Sequence, residues 1–131
     1  MILGPNQKLL IKKLPEYEKC RGTLCILGMG FCCLGVIADI FDRSDWRFSN
    51  NNVGSFKEGN FNIEGTLDKS SLWKRLGLCD GQGTFIIPIR IGDVVYDSLV
   101  QVNDACPEAI DHAWMSQFIK THADNIFKES K

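Results

Sequence analysis

The sequence predicts a single α+β domain, helix-dominated around one buried central helix, with a small antiparallel β-hairpin. Three observations carry that expectation. The run from Gly22 to Ala38 holds no charge and ends in a helix-length apolar stretch. Thr84 to Ile91, the turn pair Gly92-Asp93 and Val94-Val95-Tyr96 read as two strands about a turn. Apolar residues recur at helical spacing near both ends of the 131-residue chain. That length suits one domain, and neither an internal repeat nor a second domain is visible.

Along the chain, Asn6 to Tyr17 sets Leu9, Leu10, Ile11 and Leu14 between Lys8, Lys12 and Lys13, the pattern of an amphipathic helix ending near Pro15. Thr23 to Leu27 reads as a short buried segment and Gly28-Met29-Gly30 as a turn. Phe31 to Phe41 follows as the central helix, with Cys33, Val36, Ile37, Ile40 and Phe41 on one face and Phe31, Leu34 and Ala38 on another. Asp42 to Gly65, rich in Asn, Ser and Gly, is expected to be a long irregular excursion, with room for a hairpin, carrying Trp46, Phe48, Phe56 and Phe61. Ser70-Ser71 opens a short helix over Leu72 to Leu76 that Gly77 ends. Pro88 marks a bulge or an edge in the Thr84 to Ile91 strand, and Asp97 to Asn103 has no clear pattern. Pro107 fits the first turn of a final helix running to about Ile126, with Ile110, Ala113, Trp114 and Phe118 inward.

Composition limits the function classes. Hydrophobic residues at 44% and charged residues at 24% exclude a disordered or low-complexity chain. A net charge of -1 supplies no field for a nucleic-acid backbone or an anionic membrane, and the glycine-broken apolar run is too short for a spanning helix. The start, Met1 to Asn6, lacks the pattern of a secretory signal, so the six cysteines are expected to be reduced in a cytoplasmic setting. They contain no Cys-x-x-Cys pair, and no metal site and no cofactor are expected. Gly28-Met29-Gly30 before Gly35 has the wrong spacing for a nucleotide-binding glycine loop.

Four segments form an ordered set: Tyr17-Glu18-Lys19 with Arg21-Gly22-Thr23-Leu24; Phe31-Cys32-Cys33-Leu34-Gly35-Val36-Ile37-Ala38-Asp39; Leu72-Trp73-Lys74-Arg75-Leu76-Gly77-Leu78; and Leu99-Val100-Gln101-Val102-Asn103-Asp104. The set resembles a group of small bacteriophage and prophage-borne proteins with a Cys-Cys-Leu-Gly-Val-Leu core motif and a late Leu-Asn-Asp motif. The chain departs from that pattern at Val102, where leucine is usual, and in the β-rich insert Phe85 to Tyr96. The resemblance implies a phage-encoded protein of the host cytoplasm, and no mechanism.

The candidate sites follow from residue type. Cys32 and Cys33 open the central helix, where the dipole favours a thiolate; a nucleophile there needs a base such as His112 or His122 and an orienting Asn103 or Asp104. The plainer reading is that both cysteines are apolar filler. Asn103 and Asp104 are expected to cap the last helix or, alternatively, to meet Asp39 in a pocket against the cysteine helix. The leading function is contact with a host or defence-system protein, anchored by Trp46 and Phe48, with an acidic face over Asp93, Asp97, Asp104, Glu108 and Asp111. The alternative is a ligand-binding or hydrolytic pocket near Cys32, Cys33, Asp39, Asn103 and Asp104.

Overall fold

The first helix, α1, spans Pro5–Lys13, with the proline in the first turn, where a missing N–H costs nothing. The chain then tightens into a 3-10 turn over Leu14–Glu16, and Leu10 and Leu14 enter the core. The computed structural model describes residues 1–42 and 45–131, so positions 43 and 44 of the expected excursion lie outside it.

Strands β1, Cys25–Ile26, and β2, Gly30–Phe31, pair antiparallel about Gly28, whose φ of +82° is open to glycine at no steric cost. The central helix forms as expected: α2 spans Cys33–Asp42, and its residues from Cys33 to Ala38 are all buried. Gly35 lies so close to the Leu24 carbonyl that a Cβ would collide with that backbone, which brings the strand and the helix together.

Two expectations about the fold are overturned. The Asp42 to Gly65 excursion is a three-stranded antiparallel sheet of β3, Arg47–Phe48, β4, Gly54–Glu58, and β5, Phe61–Ile63. With it, the described residues make 36% helix and 24% strand in three small sheets, which is not a helix-dominated fold. These strands are too short and too polar to show alternation. The opposed pair Phe56 and Ile63 turns fully inward, and Gly54 is buried with it.

A four-residue helix α3, Leu72–Arg75, precedes the ribbon of β6, Thr84–Ile91, and β7, Val94–Ser98, whose register shifts between Thr84 and Ile89, around Pro88. The segment without a clear pattern becomes α4, Leu99–Ala105, where the Ser98 hydroxyl accepts the Gln101 N–H at 3.1 Å.

The second overturned expectation is the single final helix. Pro107 lies in a turn, and two helices follow: α5, His112–Thr121, and α6, Ala123–Ile126. The cap is Asp111, which accepts the Trp114 N–H at 2.8 Å. Starting there, the inward stripe is His112, Met115, Phe118 and Ile119, while Ile110 is 74% exposed and Ala113 faces out. At the other end of the molecule the buried Gln7 amide donates to Leu76 O at 2.8 Å and Glu129 O at 2.7 Å, and accepts the Gly4 N–H.

Helix propensity alone favours Gly35→Ala by about 1 kcal/mol, but the Leu24 carbonyl forbids the methyl group. Gly35→Ala is therefore expected to lower stability in urea titration. Leu34→Ala, a cavity at a fully buried site, is expected to cost about 2 to 5 kcal/mol.

Candidate functional site

Asn103 is fully buried in α4, and its amide is the meeting point of three segments. Its Oδ1 accepts the N–H of Cys33, the first residue of α2, at 3.2 Å. Its Nδ2 donates to Cys20 O at 3.0 Å and to Asp104 Oδ1 at 2.9 Å. The same Asp104 oxygen accepts the Gly22 N–H at 2.9 Å. Lys19 Nζ donates to Asn103 O at 2.7 Å, and the Arg21 guanidinium donates to Asp104 O and Ala109 O. Two cations thus face the last carbonyls of α4, where the helix dipole favours positive charge. Asn103 and Asp104 do not cap the final helix; that role falls to Asp111.

Asp39 belongs to a different network. It accepts from Tyr17 Oη at 2.7 Å and from Trp46 Nε1 at 3.1 Å. Burial, and then this bond to Asp39, raise the Tyr17 phenol above its ordinary range, so it stays a donor. The Trp46 ring packs edge-on between Phe31 and Phe56, at centroid distances of 5.6 and 5.2 Å. The expected meeting of Asp39 with Asn103 and Asp104 is not among the bonds these residues make.

The two cysteines sit in the core beside the Asn103 joint. Burial pushes the Cys32 thiol well above its ordinary value. Burial and the Asp104 charge push Cys33 up to about 12. Desolvation therefore outweighs the helix dipole, and the thiolate that a nucleophile needs is disfavoured. Cys32 Sγ accepts the Gly35 N–H at 3.4 Å. His112 is buried, with Nε2 2.7 Å from Phe31 O, and its Nδ1 has no partner among the described residues. Burial lowers its pKa. No hydrogen bond joins His112 to either thiol among the described residues, and the His122 ring lies against Phe118 at 4.7 Å. Among the described residues no group of three or more His, Cys, Asp or Glu side chains is placed to hold a metal ion, and no helix is long and apolar enough to cross a membrane.

A different surface opens on the hairpin beside Asp39. Leu27, expected at the end of a buried segment, is 54% exposed, Met29 is 61% exposed and Phe48 is 38% exposed. With Cys25, Ile26 and Phe31 they line a shallow groove of about 280 Å³. Phe48 is where the sequence points to a binding residue, whereas Trp46 lies beneath as a brace. Leu27 and Met29 escaped sequence reasoning because apolar character alone does not show that a hairpin tip faces outward. No family model, curated protein or solved structure matches the chain.

Two predictions follow from these burials. A maleimide reagent at neutral pH is expected to label the partly exposed Cys79 first and to spare Cys32 and Cys33 until the protein unfolds, read by mass spectrometry of the peptides. His112, neutral in the fold, binds its proton less readily there than in the unfolded chain. Its contribution to stability is complete above the ordinary value of 6.5 and is lost as pH falls through it. Stability measured across that window is expected to fall with acid in the wild type and to change less in His112→Gln.

Proposed function

We propose that this protein works by contact: it binds another protein, in keeping with its phage resemblance a protein of the host or of its defence system, through the platform of Leu27, Met29 and Phe48. The observation that carries this reading is the exposure of three large apolar side chains on two neighbouring hairpins. Apolar side chains clustered in this way mark interaction sites when a firm base supports them. Here the base is Trp46, held by Asp39 and by two aromatic neighbours. The hydrolytic alternative draws less support, because its cysteines are neutral and its asparagine is saturated with internal bonds.

Exposed side chains contribute little to folding, so Met29→Ser with Phe48→Ser is expected to shift stability by only about 0.5 kcal/mol per site. The same pair is expected to weaken capture of the wild type's partner from infected cells by about 30-fold, as loss of anchor residues does. Trp46→Ala is expected to lower stability instead, since it removes the brace. Undiminished capture by the folded double variant, with capture lost in a folded Asp104→Asn protein, would contradict the contact reading.

A further inference from the structure

We propose that the outer edge of β5 is a second binding surface, one that takes an extended, basic peptide segment of a partner as an added strand. Glu58 and Phe61 pair across the two-residue loop Gly59-Asn60, with Gly59 at φ +60°. A loop of that length closes on a hydrogen-bonded pair, so Phe61 and Ile63 direct their backbone groups at β4. Asn62 lies between them and directs its N–H and C=O outward, and no other residue takes either group among the described residues.

The β6–β7 ribbon treats its edges differently. The Asn125 side chain accepts the Ile87 N–H at 2.7 Å and donates to Ile87 O at 2.6 Å, as a neighbouring strand would. The Gln101 side chain accepts the Asp97 N–H at 2.6 Å. Side-chain amides thus occupy both of those edges, a common way to stop unwanted pairing. Beside Asn62 there is instead a groove of about 420 Å³ walled by Thr66, Asp68 and Lys69.

The occupant is set by geometry and charge. The outward N–H and C=O of Asn62 lie side by side as in a ladder and select an extended chain, one residue of which supplies the matching acceptor and donor, while the Glu64 carbonyl beyond is already taken by the Thr66 N–H. Glu64 and Asp68 line the groove against the single ammonium of Lys69, so the groove is net negative. Asp68 Oδ2 already accepts from the Thr66 hydroxyl, at 2.8 Å, and from Gln82. The Glu64 carboxylate, exposed at the groove, has no hydrogen-bond or ion-pair partner among the described residues and is open to the ammonium or guanidinium of a basic side chain. This surface is separate from the Leu27, Met29 and Phe48 platform, and neither proposal depends on the other.

The probes are two fluorescent heptapeptides, one alternating valine with lysine and one alternating valine with glutamate. Wild-type protein is expected to raise the anisotropy of the lysine peptide and not of the glutamate peptide. Asn62→Pro removes the outward N–H while leaving the β4 ladder whole, so it is expected to keep the circular dichroism of the wild type and to bind about tenfold more weakly. Glu64→Lys, an exposed change that needs no backbone adjustment, is expected to reverse the charge preference even if Asn62→Pro fails to fold. Binding of neither peptide by the wild type, equal binding by a folded Asn62→Pro protein, or an unchanged preference in Glu64→Lys would overturn the proposal. A wild-type dimer in sedimentation that Asn62→Pro or Glu64→Lys dissolves would also overturn it, because the occupant would then be a second copy of this chain.

Discussion

The Asn103 side-chain amide is the bond on which the rest of the molecule depends. A buried amide without partners costs about 1 to 3 kcal/mol, and its three hydrogen bonds, to the start of α2, to the Cys20 turn and to the adjacent Asp104, offset that cost here only if both distant segments are in place. The amide therefore fixes the distance from α4 to the start of α2 and to the Cys20 turn at once. Lys19 and Arg21 close the same joint from outside by neutralising the carbonyl end of α4. What reads in the sequence as a polar pair available for chemistry is a structural knot, with both Asn103 amide hydrogens, its Oδ1 and Asp104 Oδ1 engaged within the protein.

The second joint, Tyr17–Asp39–Trp46, extends this order towards the surface. Asp39 sits within α2 and holds one residue from the chain before the first hairpin and one from the start of the small sheet. With both joints made, the two hairpins above α2 have little freedom left. A surface already ordered loses less entropy on binding than a mobile loop does. The polar residues of the core thus order the surface that carries Leu27, Met29 and Phe48, beside thiols that burial keeps protonated.

The legible parts of the sequence were those set by local pattern. The central helix announces itself because its apolar residues are contiguous, and the β6–β7 ribbon because β-branched residues flank Gly92-Asp93. The three-stranded sheet was not legible, since strands of two to five residues set between Asn- and Gly-bearing turns owe their form to pairing with one another. The phase of α5 is not legible because Pro107 competes as a start signal with Asp111, four positions on. Asn103 looked like a cap because its partners, Cys33 and Cys20, are 70 and 83 positions away and nothing local points to them. The exposure of Leu27 and Met29 is not legible, because Leu27 ends a run that reads as buried and Met29 sits in what reads as a plain turn.

Hydrogen exchange at the Cys33 amide tests the Asn103 joint most directly. That N–H lies in the first turn of α2, where an amide has no intrahelical acceptor and exchanges quickly unless something else holds it. If Asn103 Oδ1 holds it in the way described, the Cys33 amide exchanges only through global unfolding, with the same denaturant dependence as the amides at the centre of α2. Exchange of the Cys33 amide on the timescale of exposed loop amides, while the centre of α2 stays protected, would contradict the account.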